Sequence, residues 1–179
     1  KQRLSETERI LARYCRELSS IRKEQGRILT ESICNGLKDL NFMDVKFEIR
    51  FEELAEYTAR GKDDVEFLIS MNPGEPVKPL AEVASGGELS RIMLAIKAVM
   101  ADRDEIETLI FDEIDVGISG RTAQKVSEKM ALIGRTHQVI CITHLPQIAS
   151  MADCHFEIKK STDGSSTKTR ITRLKEDDV

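Results

Sequence analysis

Ser85-Gly86-Gly87-Glu88-Leu89 and, further along, Leu109-Ile110-Phe111-Asp112-Glu113 decide how this chain is read. The first run places two glycines behind a serine at the start of a helical pattern. Such a start exposes unpaired backbone N–H groups and a positive helix end, which together hold a phosphate well. The second run is an apolar strand that ends in two adjacent carboxylates. That pairing suits a magnesium ion and an attacking water. Parts of a nucleotide-hydrolysing site are therefore present.

The loop that wraps the phosphates is not. A P-loop requires Gly-x-x-x-x-Gly-Lys-Ser/Thr. Gly61-Lys62 is followed by Asp63, and Glu56 stands where the first glycine is needed. The chain begins at Lys1, without methionine and inside a helical pattern. The expectation is an excised C-terminal piece whose phosphate-wrapping half lies upstream.

Upstream of the glycines, residues 4–40 read as one long helix or two in line. Leu4, Leu11 and Leu18 recur every seven residues, as do Tyr14, Ile21 and Ile28. The two series interleave at three and four and make an a/d seam. Gln25 and Gly26 interrupt it, and Ile28, Leu29, Ile33, Leu37 and Leu40 then form a broader face, as on a helix docked against a body. The reading is a coiled-coil end over residues 1–28 running into a domain over 29–179, against the plainer one of an ordinary amphipathic helix. Two alternating strands follow at 45–51 and 65–71, joined by a long polar connection.

Beyond the helix that starts at Glu88, the pattern turns to strand–helix alternation, which predicts a parallel sheet. Thr108–Phe111 and Val139–Thr143 are expected to be strands covered on both faces. Helices are expected over Arg121–Ile133 and Pro146–Met151. A hairpin around Asp163-Gly164 closes the chain.

Composition fits one soluble domain with an appendage: 179 residues, 40% hydrophobic and 32% charged. No apolar run approaches a membrane span. Four cysteines without framework spacing fit reduced thiols in a cytoplasm. Residues 1–27 carry eight Lys/Arg against four Glu. This basic stretch allows a rival function, a DNA- or partner-binding coiled-coil module without nucleotide chemistry, although a solvated helix face explains it equally simply.

At the strand ends, Asp112 is expected to hold Mg²⁺ through water and Glu113 to polarise the attacking water as general base. His144 ends the neighbouring strand, where an imidazole can donate to a γ-phosphate; the alternative is a capping residue. Cys141, His144, Cys154 and His155 also offer a zinc set, but Cys141 lies in a strand whose side chains alternate faces, and adjacent Cys154 and His155 would point apart.

Taken together, Ala84-Ser85-Gly86-Gly87-Glu88-Leu89-Ser90-Arg91, Thr108-Leu109-Ile110-Phe111-Asp112-Glu113-Ile114-Asp115 and Ile142-Thr143-His144 resemble the signature, Walker B, D-loop and switch-histidine motifs of ABC-type ATPases. The preceding seam narrows the resemblance to the SMC-like branch, and Asn72-Pro73-Gly74-Glu75-Pro76 through Ser90-Arg91, with Asp115-Val116-Gly117-Ile118-Ser119-Gly120 and Thr143-His144-Leu145-Pro146-Gln147, resembles a bacterial DNA-repair member of it. That implies an α/β fold: the C-terminal lobe of an ATPase head, a mixed, mostly parallel sheet with flanking helices, a coiled-coil end and a C-terminal β-hairpin. It also implies ATP and Mg²⁺ as cofactors and a homodimer of ATP-bound heads. Double-strand break ends of DNA would be the partner, and the setting the cytoplasm at the nucleoid. By the same resemblance Ser85, Gly86, Gly87 and Glu88 contact the nucleotide of the other protomer. Asp112 and Glu113 act in cis, Asp115 lies in the D-loop at the dimer interface, and His144 is the switch. The family pattern has Leu before the serine and Gln after the glycines; here these are Ala84 and Glu88. Without the upstream lobe, this piece is expected to hydrolyse almost no ATP.

Overall fold

The computed structural model describes residues 2–83, 85–101, 105–164 and 166–175. Helix α1 runs unbroken over Gln2–Asp39. Strands β1 (Lys46–Thr58), β2 (Gly61–Ser70) and β3 (Lys78–Pro79) follow, then helix α2 (Gly86–Met100). The chain continues as β4 (Thr108–Phe111), α3 (Gly120–Ile133), β5 (Gln138–Cys141) and the short α4 (Pro146–Ala149). It closes with β6 (Phe156–Asp163) and β7 (Ser166–Arg173).

The second half of α1 is its docked half, as its apolar face predicts: Ile33 and Leu37 are buried, whereas Leu4, Leu11, Tyr14, Leu18, Ile21 and Ile28 stand exposed. The seam of heptads is thus the uncovered side of the helix. Gly26 marks the change. A Cβ there would come within 3.1 Å of the Phe51 ring, so the missing side chain lets α1 lie directly on β1. Just before it, Arg22 Nη1 meets Asp63 Oδ2 at 2.9 Å and ties the helix to β2.

β1 and β2 pair antiparallel, and β3 adds briefly to β2. The long connection expected between the first two strands is instead a tight turn at Ala59-Arg60. Thr58 Oγ1 donates to Gly61 O (2.7 Å) and accepts from Arg60 N (3.1 Å), while Gly61 takes a φ of 96°. Residues 52–58 and 61–64, rich in acidic and other polar side chains, continue the strands because this ladder has exposed faces, where alternation of burial no longer governs the sequence.

The expected parallel pairing is present in β4 and β5, with Phe111 opposite Cys141; the other ladders are antiparallel. The expectation of strands covered on both faces is corrected. Leu109 and Phe111 are buried, but Ile110 is 67% exposed, and Ile140 and Ile142 are exposed with it. Helices supply cover on one side only: α2 packs between α1 and α3, and Ile92, Leu94, Ala95, Val126, Met130 and Ile133 fill the core. The β6–β7 hairpin forms around Asp163-Gly164 as predicted, with Phe156, Ile158 and Ile171 exposed.

Candidate nucleotide-binding site

The site is assembled where the start of α2 meets the turn after β4. A helix that runs back along a sheet puts its N-terminus beside the C-terminal end of the next strand, which is where α/β sheets bind ligands. Ser85 is the N-cap of α2; its Oγ accepts from Glu88 N at 3.4 Å. Ser85 and Glu88 thus have the spacing of a capping box, which by itself explains both residue types. Gly86 and Gly87 form the first turn of α2. A Cβ on Gly87 would stand 2.9 Å from Glu113 O and 3.1 Å from Val116 Cβ, so only glycine permits this approach. A Cβ on Gly86 would meet the Glu113 carboxylate itself, 2.3 Å from Oε2.

Glu113 therefore lies directly over the two glycines of its own chain. Its backbone is in the left-handed region (φ 57°), a strained conformation for a residue with a side chain and one that concentrates at functional sites. Beside it Asp112 stands exposed, its Oδ1 accepting the Glu113 N–H at 2.9 Å. Among the described residues no three His, Cys, Asp or Glu side chains are placed together to hold a metal ion. Cys141, His144, Cys154 and His155 accordingly do not converge as a zinc set. A lone exposed carboxylate fits magnesium held largely by water and phosphate oxygens.

Two residues that motif reading left without a role bind α2 to this turn. Ser90 Oγ donates to Asp112 O (2.8 Å), and Arg91 Nη1 donates to Val116 O (2.8 Å) and Ile114 O (3.3 Å). Arg91 is buried, and its guanidinium lies 5.6 Å from the Phe42 ring centre. Burial pulls its pKa below the ordinary value. The signal was available: Arg91 shares a helix face with Gly87 and Ala95, and a cation on a buried face must find acceptors.

In the single chain the Asp115 side chain is only 4% exposed and turned into its own chain. Its Oδ2 accepts from Thr143 Oγ1 (2.5 Å), from His144 N (2.8 Å) and, at 3.0 Å, faces His144 Nδ1. Burial raises the carboxyl pKa, but these hydrogen bonds and the imidazole outweigh it and leave it below the ordinary value. Thr143 Oγ1 also accepts from Leu145 N (3.1 Å), which fixes its hydroxyl. The parallel register of β4 and β5 brings His144 to the third carboxylate of the run.

The basic stretch of α1 is largely answered within the chain. Arg9 pairs with Glu6, Arg13 with Glu17, Arg27 with Glu24 and Arg22 with Asp63. A cavity of about 600 Å³ lies away from the site, between α1 and the β1–β2 hairpin, with Cys15, Arg16, Lys23 and Lys62 in its wall. Ala84 falls outside the described residues.

No family model matches the chain. It is 48% identical over 165 residues to the DNA repair protein RecN of Halalkalibacterium halodurans, covering 90% of this chain and 29% of that protein. With RecN of Bacillus subtilis it shares 41% over 189 residues, covering 97% of this chain and 33% of that protein. The chain belongs to the RecN family. It spans about a third of the length of these curated relatives, and with 97% of it aligned, residues 85–144 fall inside the RecN match.

Its fold is that of SMC heads. The crystal structure of the Smc head domain with a coiled coil and joint from Pyrococcus yayanosii superposes with a TM-score of 0.61 at 20% identity, covering 88% of this chain and 28% of that one. An SmcHead bound to the C-winged helix domain of ScpA gives 0.56 at 18% identity, covering 89% and 46%.

Proposed function

We propose that this chain is the C-terminal part of an SMC-like ATPase head that acts in recombinational repair of DNA double-strand breaks. Residues 1–28 end a coiled coil, and residues 29–179 form the lobe that carries the signature, the Walker B carboxylates and the switch histidine. The observation that carries the reading is the meeting of Gly86 and Gly87, at the start of α2, with Glu113 after β4. The start of α2 and the turn that presents Glu113 are thereby packed as one piece, so the amides offered to the second copy and the carboxylate kept for this one are held in a fixed relation.

In this reading Ser85, Gly86 and Gly87 cap the γ-phosphate of ATP held by the phosphate loop of a second copy, with Glu88 supporting the cap. Asp112 and Glu113 serve the nucleotide of their own copy, Asp112 as the magnesium residue and Glu113 as the base that takes a proton from the attacking water. Magnesium, when bound, neutralises charge building on the phosphate oxygens. Ser90 and Arg91 join the two functions mechanically, because they fasten the capping helix to the turn that presents Glu113. ATP then joins two heads into a homodimer and hydrolysis parts them, changing how DNA ends are held or bridged. The exposed seam of α1 is read as the face of the coiled coil. Alone, the chain binds ATP weakly and hydrolyses almost none.

The test is Glu113→Gln in the intact protein. Loss of hydrolysis with accumulation of ATP-bound dimers, read by size-exclusion chromatography, is the expected result. Normal turnover would remove the role given to Glu113.

A further inference from the structure

His144 and Asp115 are more than neighbours. Two hydrogen bonds reach one oxygen of Asp115, from the Thr143 hydroxyl at 2.5 Å and the His144 N–H at 2.8 Å, and His144 Nδ1 stands 3.0 Å from the same oxygen. An ionised carboxylate only accepts hydrogen bonds. At 3.0 Å an unprotonated Nδ1 would set its lone pair against the carboxylate, so the geometry favours the proton on Nδ1, and in the neutral ring Nε2 then has none. The imidazole is 75% exposed while the carboxylate beneath it is 4% exposed, so the ring presents Nε2 to solvent from a fixed base. A bare Nε2 repels a phosphate oxygen. It becomes a donor only when the ring takes a second proton from solvent, and the buried carboxylate is placed to balance that charge.

We propose that Asp115 is a positioning residue for His144, fixing the ring's orientation and its Nδ1–H tautomer so that His144 meets a phosphate oxygen through Nε2 as an imidazolium paired with Asp115. The inference rests on the reading of His144 as the phosphate-sensing group. It gives Asp115 a role inside its own protomer, and Thr143 a role in holding Asp115.

Long-range ¹H–¹⁵N spectra of the 179-residue chain test the pairing, with His144→Gln used to assign the ring among the three histidines. A neutral ring protonated at Nδ1 is expected; a neutral ring protonated at Nε2 overturns the proposal. This readout uses the unmodified chain, so misfolding of a variant does not remove it. In the intact protein, Asp115→Asn and His144→Ala should each lower kcat on the order of tenfold or more, as removing the carboxylate behind an oriented imidazole does elsewhere. KM for ATP should hold, and the double variant should be no worse than either single one. Losses that multiply overturn the proposal. A His144→Ala protein with normal kcat overturns instead the phosphate-sensing reading, while the spectrum still judges the pair.

Discussion

Gly86 and Gly87 are adjacent and chemically identical, yet the structure asks different things of them. At Gly87 a methyl group meets backbone, Glu113 O at 2.9 Å. Gly87→Ala must therefore push the turn after β4 away from α2, at a cost of about 1–3 kcal/mol, measurable by urea unfolding. At Gly86 the methyl meets the mobile end of Glu113. Gly86→Ala should leave unfolding nearly unchanged and impair ATP-driven dimerisation of the intact protein. Equal destabilisation by both would contradict this geometry. The cysteines make a second test. Burial, with Asp115 and Asp112 nearby, pushes the Cys141 thiol up to about 11, whereas Cys154 is exposed. A raised pKa keeps the thiol protonated below that value, and the thiolate is the nucleophile. Maleimide at pH 8 should label Cys154 rapidly and Cys141 only on unfolding; mass spectrometry of the digest reads both.

At the scale of elements, the junction of α1 with the β1–β2 hairpin depends on one missing side chain and one ion pair. Gly26→Leu places a branched side chain where a single Cβ already comes within 3.1 Å of Phe51. The helix must lift from β1, and about 1–3 kcal/mol of stability should be lost by the same overpacking cost. An Ala substitution at exposed Ser20 serves as the comparison. A melting temperature unchanged in Gly26→Leu would show that α1 does not rest there. Much of this level was legible in the sequence. Heptad spacing and the switch to a broad face at Ile28 announced one long helix, or two in line, with two environments, and strand–helix alternation announced the parallel pair. The turn at 59–60 was not legible, because it is made by a hydroxyl and a glycine inside polar sequence that gives no periodic signal. Nor was the open face of β4 and β5: a run such as Leu-Ile-Phe states that both faces are apolar, not that this chain covers both. The contacts of Asp115 within its own chain were not legible either, because Thr143 and His144, which reach its carboxylate, lie in another strand's loop and are invisible to local spacing.

At the scale of the whole molecule, the proposed reading makes the site half of a pocket. The chain holds the capping amides and the carboxylates, and a phosphate-wrapping loop is absent from its sequence. The isolated chain should release no phosphate from ATP above background in a malachite-green assay. Catalytic turnover by pure chain, lost in Glu113→Gln, would overturn the division of labour proposed here. RecN membership gives the family and the SMC heads give the fold, whereas the chemistry proposed here rests on residues 85–91, 112–116 and 143–145.

Helix α1 is seated near its middle, and toward Gln2 it runs past the cavity whose wall includes Cys15 and Arg16. From Gly26 to Gln2 it extends about 36 Å at 1.5 Å per residue, with no proline to bend it. Its fulcrum is the Arg22–Asp63 pair and the Gly26–Phe51 seat, both on the hairpin. A tilt of about 10° at that seat would sweep the tip through roughly 6 Å over the residues from Gly26 to Gln2 at that rise. Small rotations of the body thus emerge, magnified, at the far end.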